Sequence, residues 1–146
     1  MALIVQKYGG TSVADPDRIR AVADNVAFTK KRGNDVIVVV SAMGTATDNL
    51  ISLADSVSKI QPGREMDMLL TTGERQTAAL MTMALADRGV DAISYTGSQV
   101  GIITDTAPRK AKIIEVKGDR VRQSMAEGMY PPVSSKVIKD SQARPA

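Results

Sequence analysis

Five consecutive β-branched residues, VIVVV at 36–40, leave this chain little choice of architecture. Such side chains are stiff at χ1 and pack well on a pleated surface. An unbroken run without polar alternation suits a strand covered on both faces, as in the middle of a parallel sheet. Parallel neighbours need a crossover connection, and the upstream sequence supplies one. Residues 3–7, LIVQK, read as a short buried strand. Asp15 can cap a helix whose first turn takes Pro16. Ile19, Val22, Ala23, Val26 and Ala27 then recur at helical spacing, Lys30, Lys31 and Arg32 suit the carboxyl end of the helix dipole, and Gly33 suits termination. Strand, helix, strand is a βαβ unit.

Downstream, residues 48–60 put Leu50, Leu53, Ala54 and Val57 on one helical face, and Pro62-Gly63 ends the pattern. Residues 64–88 are rich in Met, Leu and Ala with Gly73 as the breaker, which predicts one or two packed helices before Gly89. Residues 90–97 read as a third strand, 101–104 as a short extended piece, 111–116 as another strand, and 119–127 as a helix closed by Gly128. The alternation predicts one α/β domain with a largely parallel sheet and its site beyond the carboxyl ends of the strands. Residues 129–146, with Pro131-Pro132 and a serine pair, break this rhythm and are expected to be irregular.

Composition narrows the chemistry. There is no histidine and no cysteine in the 146 residues, which removes imidazole acid–base chemistry, disulfides and thiolate zinc sites. The net charge of +3 and 3% aromatic content give neither a basic stripe nor a stacking platform, so no nucleic acid is expected. No apolar run approaches the roughly 20 residues of a membrane span, and the first residues lack the pattern of a secretory signal, so a cytoplasmic setting is expected. Lysine, carboxylates, hydroxyls and backbone amides remain.

Those groups collect at predicted strand and helix ends. Lys7 closes the first strand, and Gly9-Gly10 would let backbone amides approach an anion without side-chain hindrance. The pattern is neither G-x-x-x-x-G-K-[ST] nor G-x-G-x-x-G, and alone it describes an ordinary turn as well as a phosphate site. Ser41, Thr45 and Thr47 follow the second strand at the same edge, where Thr47 or Asp48 could equally cap the next helix. In LLTTGER, Gly73 sits inside a helical pattern at a cost of about 1 kcal/mol relative to Ala unless something compensates. Glu74 beside it could be a solvated charge, or a carboxylate at a helix start that holds a cation such as an ammonium group. Met66, Met68, Met81 and Met83 suit core filling.

In this order and spacing, KYGGTSV, VVVSAMG, MLLTTGE and TGSQVGIITD resemble the amino-terminal part of the aspartokinases, within the amino acid kinase family. The resemblance runs over residues 1–128. It implies a three-layer α/β sandwich with a mostly parallel sheet, present here in part and without the ACT domains of the family. It also implies transfer of the γ-phosphoryl of ATP, carried with Mg2+, to the side-chain carboxylate of L-aspartate, an entry step to lysine, threonine and methionine synthesis. By resemblance, Lys7 would contact the transferring phosphoryl group, the amides of Tyr8, Gly9 and Gly10 would hold nucleotide phosphates, and Ser41 would sit between the two substrates. Thr45 and Thr47 would help hold aspartate, and Glu74 would pair with its ammonium. No tightly bound cofactor and no metal-ligating residue are implied, magnesium resting mainly on ATP oxygens. Residues 129–146 depart from the pattern, which continues in the family with AGFQG-type and GRGGSD-type stretches, and Pro108-Arg109 differs mildly from the His-Gly-like pair that many relatives carry there. The resemblance therefore also implies a chain impaired in turnover, with apolar sheet surface left open. A nucleotide- or aspartate-binding remnant and a related acyl-phosphate-forming kinase are the alternatives. Relatives oligomerise through their ACT domains, which leaves the assembly of this chain open.

Overall fold

The computed structural model describes residues 2–96, 99, 102–104, 113–116, 118–130 and 132–134. In chain order the elements are β1 (Leu3–Tyr8), α1 (Pro16–Lys31), β2 (Asp35–Val40), α2 (Ala46–Val57), α3 (Gly63–Ala86), β3 (Ile102–Thr104), β4 (Ile113–Val116), α4 (Asp119–Ala126) and β5 (Pro132–Ser134), with a 3-10 turn at Gly10–Val13 between β1 and α1.

The valine run is β2, the middle of a parallel sheet ordered β1-β2-β5. Val36, Val38 and Val40 are buried on one face, where Ile19, Val22 and Val26 of α1 and Ala78, Met81 and Leu85 of α3 complete the main core. Ile37 points to the opposite face and packs against Val121 of α4, as Tyr95 does. Helices thus cover both faces of β2, which is why the run needs no polar alternation. β3 and β4 form a separate antiparallel pair, with an irregularity between Ile103 and Thr104. No helix among the described residues is long and apolar enough to cross a membrane.

α1 is built as its sequence suggests. The Asp15 side chain accepts a 2.8 Å hydrogen bond from the amide of Arg18, Pro16 opens the first turn, and the five apolar residues at helical spacing are all buried. α4 also matches, and Gly128 follows it at φ +82°, donating from its amide to the Met125 carbonyl.

Several expectations are corrected. β1 is not buried: among the described residues it is an edge strand, its Ile4, Gln6 and Tyr8 are only half-buried, and Leu3 and Val5 are each 60% exposed on the other face. α2 begins at Ala46, so Thr47 and Asp48 lie inside its first turn, and Thr45 is the cap residue without a side-chain capping bond. Pro62 does not abut that helix but is the residue before α3. Of the one or two helices expected over residues 64–88, the structure has one, the 24-residue α3, which runs through Gly73 and uses its missing side chain for packing. Met66 and Met81 fill the core, but Met68 and Met83 face solvent, because a helix packed on one side exposes the other. Over residues 90–96 the expected third strand is reduced to bridge positions at Ala92 and Tyr95, with Ala92 pairing in parallel with Tyr130 and the Tyr130 amide donating to Asp91. Within the stretch expected to be irregular, Pro132–Ser134 forms β5, where Pro132 is tolerated because it begins a strand at the sheet edge. Pro108-Arg109, Pro131 and residues 135–146 lie outside the described residues.

Candidate functional site

Parallel strands β1 and β2 end together, with Lys7 opposite Val39 and Tyr8 opposite Val40. Lys7 and Tyr8 consequently point to opposite faces of the sheet. The Tyr8 side chain turns toward α1, where its hydroxyl accepts from Asn25 Nδ2 at 2.7 Å and donates to Gln6 Oε1 at 3.1 Å. Gln6 Nε2 in turn donates to Thr29 Oγ1. This network anchors the end of β1 to α1 and leaves Lys7 exposed on the far face, with no ion pair among the described residues.

Beyond Tyr8 the two strand-end loops are bonded to each other. The amide of Ser41 donates to the Tyr8 carbonyl at 3.2 Å, and the amide of Gly44 donates to the Gly10 carbonyl at 3.0 Å. Gly9 is extended and precedes the 3-10 turn, which is closed by the Ser12 amide donating to the Gly9 carbonyl. A Cβ on Gly10 would lie 2.9 Å from the carbonyl oxygen of Ala42, so the turn and the SAMG loop touch through backbone. Glycines at 9 and 10 keep this turn bare of side chains; space is closed only at Gly10, since a Cβ on Gly9 would meet nothing within 4 Å.

The third motif reaches the same point from α3. A Cβ on Gly73 would meet the Ala42 Cβ at 3.1 Å and Leu50 Cδ1 at 3.4 Å, with the Ala46 Cβ at 3.9 Å. Ala42 is therefore held between Gly10 and Gly73, and it is only 5% exposed. Next to Gly73, Glu74 is 7% exposed, which removes the reading of a solvated surface charge. It lies in the middle of α3, not at a helix start, because the helix begins eleven residues earlier at Gly63. Thr45 and Thr47 flank Ala46 at the amino end of α2, Thr45 exposed and Thr47 half-buried.

Lys7 and Tyr8 thus end β1, Gly9, Gly10 and Ser41 lie on the two bonded loops that follow the strands, Thr45 caps α2, and Thr47 and Glu74 lie in α2 and α3. Of TGSQVGIITD, Gly97, Ser98, Val100, Gly101 and Asp105 lie outside the described residues. Two contributors escape a reading of the sequence. Ala42 carries no chemistry, and its signal was only its small size between two motifs. Asn25 sits on the polar side of α1 and nothing local marks it as the partner of Tyr8.

Comparison with known proteins agrees with this geometry. The model of the amino acid kinase family matches residues 2–143. An aspartokinase of Mycolicibacterium smegmatis is 58% identical over 128 residues, covering 88% of this chain and 30% of that protein. An aspartokinase of Corynebacterium glutamicum is 52% identical over the same shares. The solved aspartate kinase from Synechocystis superposes over 90% of this chain and 21% of its own, with a TM-score of 0.76 and 45% identity. E. coli aspartokinase III, solved in complex with lysine and aspartate, is 20% identical with a TM-score of 0.72 and supports the fold. The chain spans about 30% of the length of these curated relatives. With the sheet, the three motif-bearing loops and the family model in agreement, the chain belongs to the amino acid kinase family.

Proposed function

We propose that this chain carries the phosphate-side and aspartate-side walls of an aspartate kinase site. In the proposed reaction one oxygen of the substrate's side-chain carboxylate attacks the γ-phosphorus of ATP. The bond from that phosphorus to the β,γ-bridging oxygen breaks, its electrons leave with ADP, and an acyl phosphate forms. A carboxylate is already ionised at neutral pH, so no base has to remove a proton, and a chain without histidine is not handicapped. What the reaction needs is in-line positioning and neutralisation of charge on the phosphoryl oxygens.

The residues suit those tasks. Lys7, on the open face at the end of β1, would stabilise the transferring group, and the amides of the Tyr8-Gly9-Gly10 turn would hold the nucleotide phosphates. Ser41 would stand between phosphate and carboxylate, Thr45 and Thr47 would hold the amino acid, and Glu74 would pair with its ammonium group. Magnesium would supply charge neutralisation from the nucleotide's own oxygens. The setting proposed is cytoplasmic, at the entry to lysine, threonine and methionine synthesis.

The observation that carries this reading is the convergence of the three motifs on Ala42, from elements that lie far apart in the chain. Calorimetric titration of the purified chain with Mg-ATP and with L-aspartate tests it. Saturable binding of both is expected, with glutamate giving no competing heat. A chain that binds neither substrate would sink the proposal, and one that prefers glutamate would move it to a related kinase.

A further inference from the structure

Glycine at positions 10 and 73 is not explained by backbone conformation. Among the described glycines, positive φ is found at Gly33, Gly44, Gly89 and Gly128, and neither Gly10 nor Gly73 is among them. Space is the remaining reason. A Cβ on Gly10 would be 2.9 Å from the Ala42 carbonyl oxygen, and one on Gly73 would be 3.1 Å from the Ala42 Cβ. Ala42 has little freedom to withdraw from either. Its loop is pinned by the Ser41 amide on Tyr8 and by the Gly44 amide on Gly10. A methyl group at 73 would push Ala42 toward Gly10, where the backbone is already in contact.

We propose that Ala42 is a spacer clasped between Gly10 and Gly73, and that Gly73 is a positioning residue for the site. This rests on the aspartate kinase reading above. One contact sets three distances: between the Lys7–Gly10 turn and the Ser41–Gly44 loop, between that loop and Glu74, and between α3 and the start of α2, since Leu50 and Ala46 border the same glycine. Substrate walls from three elements are thereby indexed to one alanine. Neither glycine would touch substrate.

The test uses the full chain and two readouts. The first is hydrogen exchange at the Gly44 amide, which needs no ligand. Gly73→Ala should speed that exchange about tenfold, and Ala42→Gly in the same chain should restore protection by returning the lost space. The second is affinity for Mg-ATP and L-aspartate. Displacement of the loop by a few tenths of an ångström should weaken at least one of them by about tenfold in Gly73→Ala, with recovery in the double variant. Unchanged Gly44 exchange in Gly73→Ala would overturn the spacer, whatever binding does. Faster exchange with both affinities intact would overturn the positioning role. A wild-type chain that binds neither ligand would defeat the kinase reading and the positioning role together, while the exchange pattern would still decide the spacer. If Gly73→Ala does not fold, the double variant must, and its failure to fold would also overturn the proposal.

Discussion

Arg88 ties the end of α3 to α1 through Asp24. Its Nε donates to Asp24 Oδ1, and its Nη1 donates to the Ala84 carbonyl at 2.8 Å. The two partners are unequal: the Arg88 side chain is 20% exposed and that of Asp24 is 69% exposed. Removing the arginine takes away packing of its stem and a bond to a helix-end carbonyl, whereas removing the aspartate loses only an exposed ion pair. Arg88→Ala should lower unfolding free energy by about 1–2 kcal/mol. Asp24→Ala should cost at most about 1 kcal/mol, shrinking in high salt. Urea denaturation at two ionic strengths measures both, and equal losses would show that the ion pair alone joins the helices.

At the other end of α1, Asp15 holds the amide of Arg18 at 2.8 Å. The carboxylate is a helix cap first and an ion-pair partner second, since its Arg18 contact is 3.8 Å with both side chains half exposed. Asp15→Ala should cost about 1 kcal/mol, and Asp15→Ser, which keeps a capping oxygen without charge, should recover most of that. Thermal midpoints of the two variants decide; no recovery with serine would assign the effect to charge.

The elements that the sequence made legible are those whose pattern is local. The valine run, the apolar spacing of α1 and the cap at Asp15 each state their structure within a few residues. β1 reads as buried in sequence because its apolar residues say nothing of how many neighbours the strand has, and an edge strand with one covered face has the same pattern. Gly73 leaves one or two helices open in sequence; its cost of about 1 kcal/mol in a helix interior is offset by close packing on Ala42, a residue 31 positions earlier, and the helix is one. Glu74 was legible as a candidate and not as a buried group, because burial depends on which face of α3 meets α2 and the sheet. Lys7, Gly10 and Ser41 could be placed near one another from strand order alone. The bonds that join them, and Asn25 on Tyr8, arise only when separate elements pack.

The open face of β1 leads to a prediction about solubility. Leu3 and Val5 are each 60% exposed on an edge strand, and such edges template pairing with other chains. Val5→Lys should reduce self-association at high concentration while changing stability by no more than about 0.5 kcal/mol, as for other exposed positions. Light scattering across a concentration series, with a thermal scan of the same samples, checks both halves. A large loss of stability would mean that Val5 is packed in solution.

The proposed site makes its strongest demand on Lys7 and Glu74, because the two are assigned to different ligands and differ in burial. Lys7 is exposed at a strand end, so Lys7→Met should leave folding nearly intact. Loss of a charged hydrogen-bonding group to phosphate should weaken Mg-ATP by about ten- to a hundredfold, corresponding to about 1.5–3 kcal/mol. Glu74 is 7% exposed, and Glu74→Gln keeps its shape and one acceptor oxygen while removing the charge and replacing the other oxygen with an NH2 donor. That change should weaken L-aspartate by a similar factor and leave Mg-ATP within about twofold, since the ammonium group is assigned to this carboxylate and the phosphates to the Tyr8–Gly10 turn. Crossed titrations of both variants with both ligands separate the assignments. If Glu74→Gln weakened Mg-ATP as much as L-aspartate, the carboxylate would be acting on the shape of the whole site, and the division of the crevice into a phosphate wall and an amino-acid wall would fail.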